Sequence, residues 1–173
     1  MFLIPSPPNS SMKLLTLSWA DAGRLCEGLA SSIVSAGFRP DMIVGISRGG
    51  LVPARILSDI LGVRELFTIR VSFYTGIGKT ATAPRIVQPL VERLEGKSVL
   101  LVDDVSDTGR SLMVAKEHLK EMGAEDVRAA TLHFKPHSKF RPDFFVSETE
   151  AWLVYPWERH ESAKELWKKV SEL

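Results

Sequence analysis

Two aspartates stand side by side at the end of an apolar run, and a third follows shortly after. The segment is 99–109, VLLVDDVSDTG, with Asp103, Asp104 and Asp107 as its acids. As caps near the positive end of a helix dipole, acids explain one of these positions, or two. They do not explain an adjacent pair at the end of a buried strand, where repulsion and desolvation both cost free energy. Gripping a ribose needs the pair together. Adjacent carboxylates accept hydrogen bonds from the 2′- and 3′-hydroxyls or reach a magnesium ion. The turn from Asp107 through Thr108 and Gly109 to Ser111 offers backbone N–H groups and hydroxyls to a phosphate at a helix N-terminus. A sugar diol and a phosphate in one site mean a ribose phosphate.

A second apolar run ends in a different chemistry. Segment 43–53, IVGISRGGLVP, places Ser47, Arg48, Gly49 and Gly50 between a strand-like and a helix-like stretch. A tight turn needing positive φ at Gly49 or Gly50 is one reading. An arginine beside two glycines has a sharper use, because exposed amides and a guanidinium fork converge on an anion.

These exits require elements to hold them. Ser18, ahead of Ala20 and Asp21, opens a helical pattern to about Ser35, with Leu25, Leu29 and Ile33 on one face. Met42 to Ile46 reads as a buried strand, and Val52 to Leu61 as a helix with Pro53 in its first turn and Gly62 at its stop. Leu66 to Phe73 is strand-like, and Tyr74 to Pro84 (TGIGKTATAP after the tyrosine) is small, polar and loop-like. A short helix is expected over Ile86 to Leu94, then a strand over Ser98 to Val102 and a helix over Ser111 to Met122. Strands are expected over Val127 to Phe134, Phe144 to Val146 and Trp152 to Tyr155, with an amphipathic helix from Glu161 to Val170. Strands alternating with helices imply an α/β fold, with a mostly parallel twisted sheet flanked by helices. Ligands of such sheets sit beyond the carboxyl ends of the strands.

The segment VLLVDDVSDTGRSL resembles the phosphoribosyl pyrophosphate (PRPP) signature of type I phosphoribosyltransferases, and SRGGLVP resembles the pyrophosphate loop of the bacterial xanthine-guanine branch. The resemblance implies that fold with a small C-terminal hood. It assigns the ribose hydroxyls and magnesium to Asp103 and Asp104. The 5′-phosphate falls to the loop of Asp107, Thr108, Gly109, Arg110 and Ser111, and Val105 and Ser106 before it also count as PRPP-binding. Ser47, Arg48, Gly49 and Gly50 take the pyrophosphate, with a strained or cis Ser47–Arg48 peptide. Asp107 lies near the base N7 and is the implied proton-transfer group, so Asp107, Arg48 and Asp104 are the catalytic candidates.

The 74–84 stretch is placed like the loop that closes over this site and shields PRPP from water. Lys79 is its cation, with Arg85 in reserve; a solvated surface lysine is the plainer reading. In the last third, TLHFKP (131–136) ends a strand in Lys135, and AWLVYPWE (151–158) carries Trp152 and Trp157. Most strand-end lysines are solvated, and most tryptophans in short strands are core. Both segments are similar to the base-binding half of xanthine-guanine and archaeal 6-oxopurine enzymes. By that likeness Lys135 faces O6, Trp152 stacks on the purine, the Leu153 backbone meets its N1/N2 edge, and the Pro156-Trp157-Glu158 turn supports the pocket.

The implied activity is transfer of phosphoribose from PRPP to a 6-oxopurine, with Mg2+ as cofactor. An adenine-specific enzyme on the same scaffold stays open, as does a PRPP-sensing regulator without transferase activity. The chain has 22 basic and 21 acidic residues, a balance unlike that of a dedicated nucleic-acid binder. No apolar run approaches the roughly 20 residues needed to span a bilayer. The lone Cys26 cannot form an internal disulfide. The four histidines, His118, His133, His137 and His160, lack metal-ligand spacing and read as incidental. Residues 1–11 read as a disordered or non-native extension. Residues 12–173 read as one cytoplasmic domain with a base-binding hood over 135–160, assembling as a homodimer or homotetramer.

Overall fold

The computed structural model describes residues 13–75 and 82–164. In chain order the elements are β1 (Leu14–Thr16), α1 (Trp19–Ser35), β2 (Met42–Ser47), α2 (Leu51–Leu61), β3 (Leu66–Thr75) and β4 (Thr82–Gln88). They continue with β5 (Ser98–Ser106), α3 (Arg110–Glu121), β6 (Asp126–Phe134), β7 (Phe144–Glu148) and β8 (Trp152–Val154). Six strands form one sheet in the order β4-β3-β2-β5-β6-β7, parallel except for β4. The order places β2 and β5 side by side at its centre, so the two chemically unusual exits leave from neighbouring strands. β1 and β8 form a separate parallel pair.

Side-chain alternation explains why the central strands read as continuous apolar runs. Along β5, Leu100 and Val102 pack with α1 and α2, while Val99 and Leu101 pack with α3 on the other face. β6 repeats this with Ala130 and Leu132 against Val127 and Ala129. A parallel sheet buried on both faces needs apolar residues at both parities.

Helix ends follow local chemistry. Ser18 accepts from Asp21 N at 3.1 Å, and Asp21 Oδ2 accepts from Ser18 N at 2.8 Å. This reciprocal box contributes about 1 kcal/mol to α1. Gly62 ends α2 at φ 68°, a left-handed conformation natural to glycine.

The structure corrects several expectations. No helix occupies 86–94: Thr82–Gln88 is a strand antiparallel to β3. Its Ile86 and Val87 suit a pleated edge better than a short helix cut by Pro89, and Leu90 and Leu94 are buried in irregular chain. The loop expected over 74–84 is shorter, since 74–75 and 82–84 belong to β3 and β4. Its centre, including Lys79, lies outside the described residues, as do 1–12. Residues 159–164 are helical, and the rest of the helix expected to Val170 also lies outside them. Among the described residues, no helix is long and apolar enough to cross a membrane.

Candidate active site

Strand β5 runs on through both carboxylates. Asp103 sits opposite Thr131 of β6, and Val102 opposite Gly45 of β2. The chain leaving β2 folds directly against this strand end. A Cβ on Gly50 would overlap the Val102 carbonyl oxygen, and one on Gly49 would lie 2.6 Å from Asp104 Cγ. Positive φ is not the reason for these glycines, contrary to the turn reading: both have negative-side or extended geometry, and positive φ occurs at Gly109 instead. Close approach is the reason. The Ser47–Arg48 peptide is cis, as the resemblance implied.

Asp104 is buried and Asp103 half-buried. Burial, reinforced for Asp103 by the Asp104 charge, pushes both carboxyls above the usual range. The Trp157 indole opposes this at Asp104, its Nε1 donating to Oδ2 at 3.3 Å. Tyr155 of the same turn donates its hydroxyl to the Asp104 carbonyl at 2.9 Å and lies 2.7 Å from His133 Nδ1. With the hydroxyl proton given to Asp104, His133 Nδ1 must itself carry a proton. Burial holds the His133 pKa down to about 4, so the ring is neutral. Tyr155 and Trp157 stack with centroids 4.7 Å apart at 9°.

The turn after β5 is tied to the loop after β6. Lys135 N donates to the Ser106 carbonyl at 3.0 Å, Lys139 N to that of Thr108 at 3.2 Å, and Ser106 Oγ to that of Phe140 at 2.8 Å. Gly109 begins α3 at φ 76°, pressed so close to Phe140 that a Cβ would sit 2.5 Å from the Phe140 Cβ. Neither Gly50, before α2, nor Gly109, before α3, has a side chain to cap its helix; at α2 the Gly50 and Leu51 amides donate to the Ile46 and Arg48 carbonyls at 2.9 and 3.1 Å instead. Val105 faces His133 in register, Arg110 lies over the Phe73 ring at 5.7 Å, and Ser111 is half-buried in the first turn of α3.

Lys135 is buried, its ammonium donating to the Ala151 carbonyl of the hood, and burial lowers its pKa. Asp107 is exposed, with His137 Nε2 donating to its Oδ1 at 3.2 Å. A cavity of 470 Å³ lies between the β2 exit and the hood, lined by Arg48, Gly49, Trp152, Leu153, Trp157 and Glu161 among others. Across it, Arg48 donates to the Glu161 carboxylate. The cavity therefore joins the arginine–glycine exit to the tryptophan-bearing hood, while Asp103, Asp107 and Lys135 stand outside its lining. Arg85 lies in β4 opposite Ser72.

Sequence reasoning missed Tyr155 and Glu161, and it read His133 and His137 as incidental. Both histidines make contacts in the site. The available signal was position alone: His133 and His137 flank Lys135, and Tyr155 and Glu161 bracket the Pro156-Trp157-Glu158 turn.

The profile of the phosphoribosyl transferase domain matches residues 17–160, and the chain belongs to that family. It is 32% identical over 145 residues to the xanthine-guanine phosphoribosyltransferase of Gluconobacter oxydans, covering 83% of each chain. Its structure is similar to that of the purine phosphoribosyltransferase of Pyrococcus horikoshii, with a TM-score of 0.77 and 41% identity over 84% of this chain and 94% of that one. It is also similar to a hypothetical protein from Neisseria gonorrhoeae with bound ppGpp, with a TM-score of 0.75, 27% identity and coverage of 93% and 98%.

Proposed function

We propose that this protein transfers the phosphoribosyl group of PRPP to N9 of a 6-oxopurine and releases pyrophosphate. The observation that carries the reading is the meeting of Gly49 with the Asp104 carboxylate. A pyrophosphate-type cradle and a ribose-type carboxylate pair then share one space, as the two ends of PRPP require. Relatives named for xanthine-guanine and purine transfer support the substrate class.

Asp103 and Asp104 accept from the ribose 2′- and 3′-hydroxyls. The turn from Asp107 to Ser111 takes the 5′-phosphate at the start of α3, and the turn from Ser47 to Gly50 takes the pyrophosphate with the Arg48 guanidinium. As the C1′–oxygen bond breaks, N9 of the base bonds to C1′, and Arg48 stabilises the charge left on pyrophosphate. Asp107 accepts the proton that the base gives up. Lys135 donates to O6, Trp152 stacks on the ring, and the Leu153 backbone meets the far edge. Lys79 approaches the pyrophosphate from the 76–81 stretch.

The carboxylate pair also fits Mg2+. Hard oxygen donors match this cation, and the high pKa of the pair marks a charge that a cation would offset. Among the described residues no cluster of three metal-ligating side chains occurs, which suits a metal carried largely by substrate oxygens. Bound there, magnesium would neutralise charge on the diphosphate. Residues 12–173 form one domain with its hood over 135–160, working in the cytoplasm as a homodimer or homotetramer.

The test is to mix protein, PRPP and magnesium with hypoxanthine, guanine, xanthine or adenine separately and follow nucleotide formation. Turnover with an oxopurine and not adenine is expected. Adenine turnover alone would overturn the base assignment. PRPP binding without turnover on any base would replace the enzyme with a sensor.

A further inference from the structure

The hood and the carboxylate pair, assigned above to the base and to PRPP, are joined by one turn. The 155–157 turn follows directly on β8, which carries Trp152. It makes two hydrogen bonds to a single residue of β5: Tyr155 Oη to the Asp104 carbonyl at 2.9 Å and Trp157 Nε1 to Asp104 Oδ2 at 3.3 Å. Backbone and side chain of Asp104 are thus both held. The ring stack between Tyr155 and Trp157 fixes the two donors relative to each other.

The chemistry of the donor matters. An indole N–H donates only, carries no charge and has no proton to give. It can orient a buried carboxylate without neutralising it, whereas a lysine or arginine would compete with a cation for the same oxygens. Packing alone would be served by phenylalanine. We infer that Trp157 is a positioning residue for the PRPP half of the site: its N–H holds Asp104 Oδ2 so that Oδ1 is turned to the ribose and its metal. This inference rests on the reading of Asp104 as a PRPP-facing carboxylate.

Trp157→Phe keeps a ring on Tyr155 and removes the N–H. Binding of PRPP with magnesium is measured by calorimetry, and KM for the purine base by turnover. The variant should bind Mg2+·PRPP about tenfold more weakly, the effect of losing one hydrogen bond to a charged group. The KM for the base should stay within about twofold, and the melting midpoint without ligand should fall by roughly 3–6 °C, the cost of a buried carboxylate oxygen that has lost a donor. Benzothienylalanine at position 157, which keeps the bicyclic ring and puts sulfur in place of the N–H, is the second variant and should show the same split even if Trp157→Phe is poorly folded. Unchanged Mg2+·PRPP affinity in the folded variants overturns the inference, as does an equal loss for PRPP and base, which would make Trp157 general support for the hood. Absence of PRPP binding by the unmodified protein would instead remove the reading of the site itself, and the inference with it.

Discussion

The guanidinium of Arg48, on the turn after β2, donates to the carboxylate of Glu161 in the 159–164 helical segment. Both side chains are well exposed, 73% and 49%, so the pair is weak and exchangeable. It nevertheless occupies the group assigned to pyrophosphate. Glu161→Gln is expected to lower KM for PRPP about two- to threefold, the scale of an exposed ion pair. An unchanged or raised KM would show that Glu161 does not compete with the substrate.

Arg48→Ala and Asp104→Ala should each reduce turnover at least about 100-fold, the usual scale for removing one electrostatic stabiliser of a transition state. Neither should lower the melting midpoint appreciably. Arg48 is exposed, and Asp104 carries a charge whose burial already works against folding. Turnover and a melting curve on the same preparations check both halves.

Lys135→Ala should cut kcat/KM for oxopurines by about 10- to 100-fold, because a site built to donate to O6 then leaves that oxygen unpaired. Residual turnover with adenine should change far less. Equal losses on both bases would end the role given to Lys135.

Glycine positions predict opposite signs. Gly109→Ala should cost about 2–4 kcal/mol, since positive φ and the Phe140 contact both resist a Cβ. Gly23→Ala, inside α1 with nothing within 4 Å of the new methyl, should gain about 0.5–1 kcal/mol. Chemical denaturation of the two variants measures both.

His133 makes stability depend on pH. Its pKa falls from 6.5 to about 4 on folding because of burial and the nearby Lys135 charge. Below 6.5 the unfolded chain takes up a proton that the folded one refuses. Stability from this group is therefore full above pH 6.5 and is lost as pH drops toward 4, by up to about 1.4 kcal/mol per pH unit. Melting midpoints of the protein and of His133→Asn across that window should converge toward acid, the variant having the flatter slope.

Much of this was legible from residue order. The 99–109 segment announced itself because an acid pair after an apolar strand has few structural excuses, and Ser18 with Asp21 declared the start of α1. Strand ends were read short: the polar side chains that end a pattern, Asp103 to Ser106, still lie in the ladder because their backbone pairs with β6. β4 straddles the expected loop, which ends at Pro84, and the helix expected from Ile86, because it is pairing with β3 and not a local pattern that makes it a strand. Tyr155, Trp157 and Glu161 were invisible as a group because their meeting with Asp104 and Arg48 depends on how the chain folds back, which no local spacing encodes.

The small β1–β8 pair has a consequence for the order of assembly. It joins Leu14 to Trp152 and Thr16 to Val154, so β1 waits for a partner that follows it by more than 130 residues. A growing chain can build the central sheet from nearest neighbours long before that closure, as low-separation contacts form ahead of distant ones. A chain that has folded its central sheet but not yet paired β8 would carry the turns after β2 and β5 without the hood that bears Trp152.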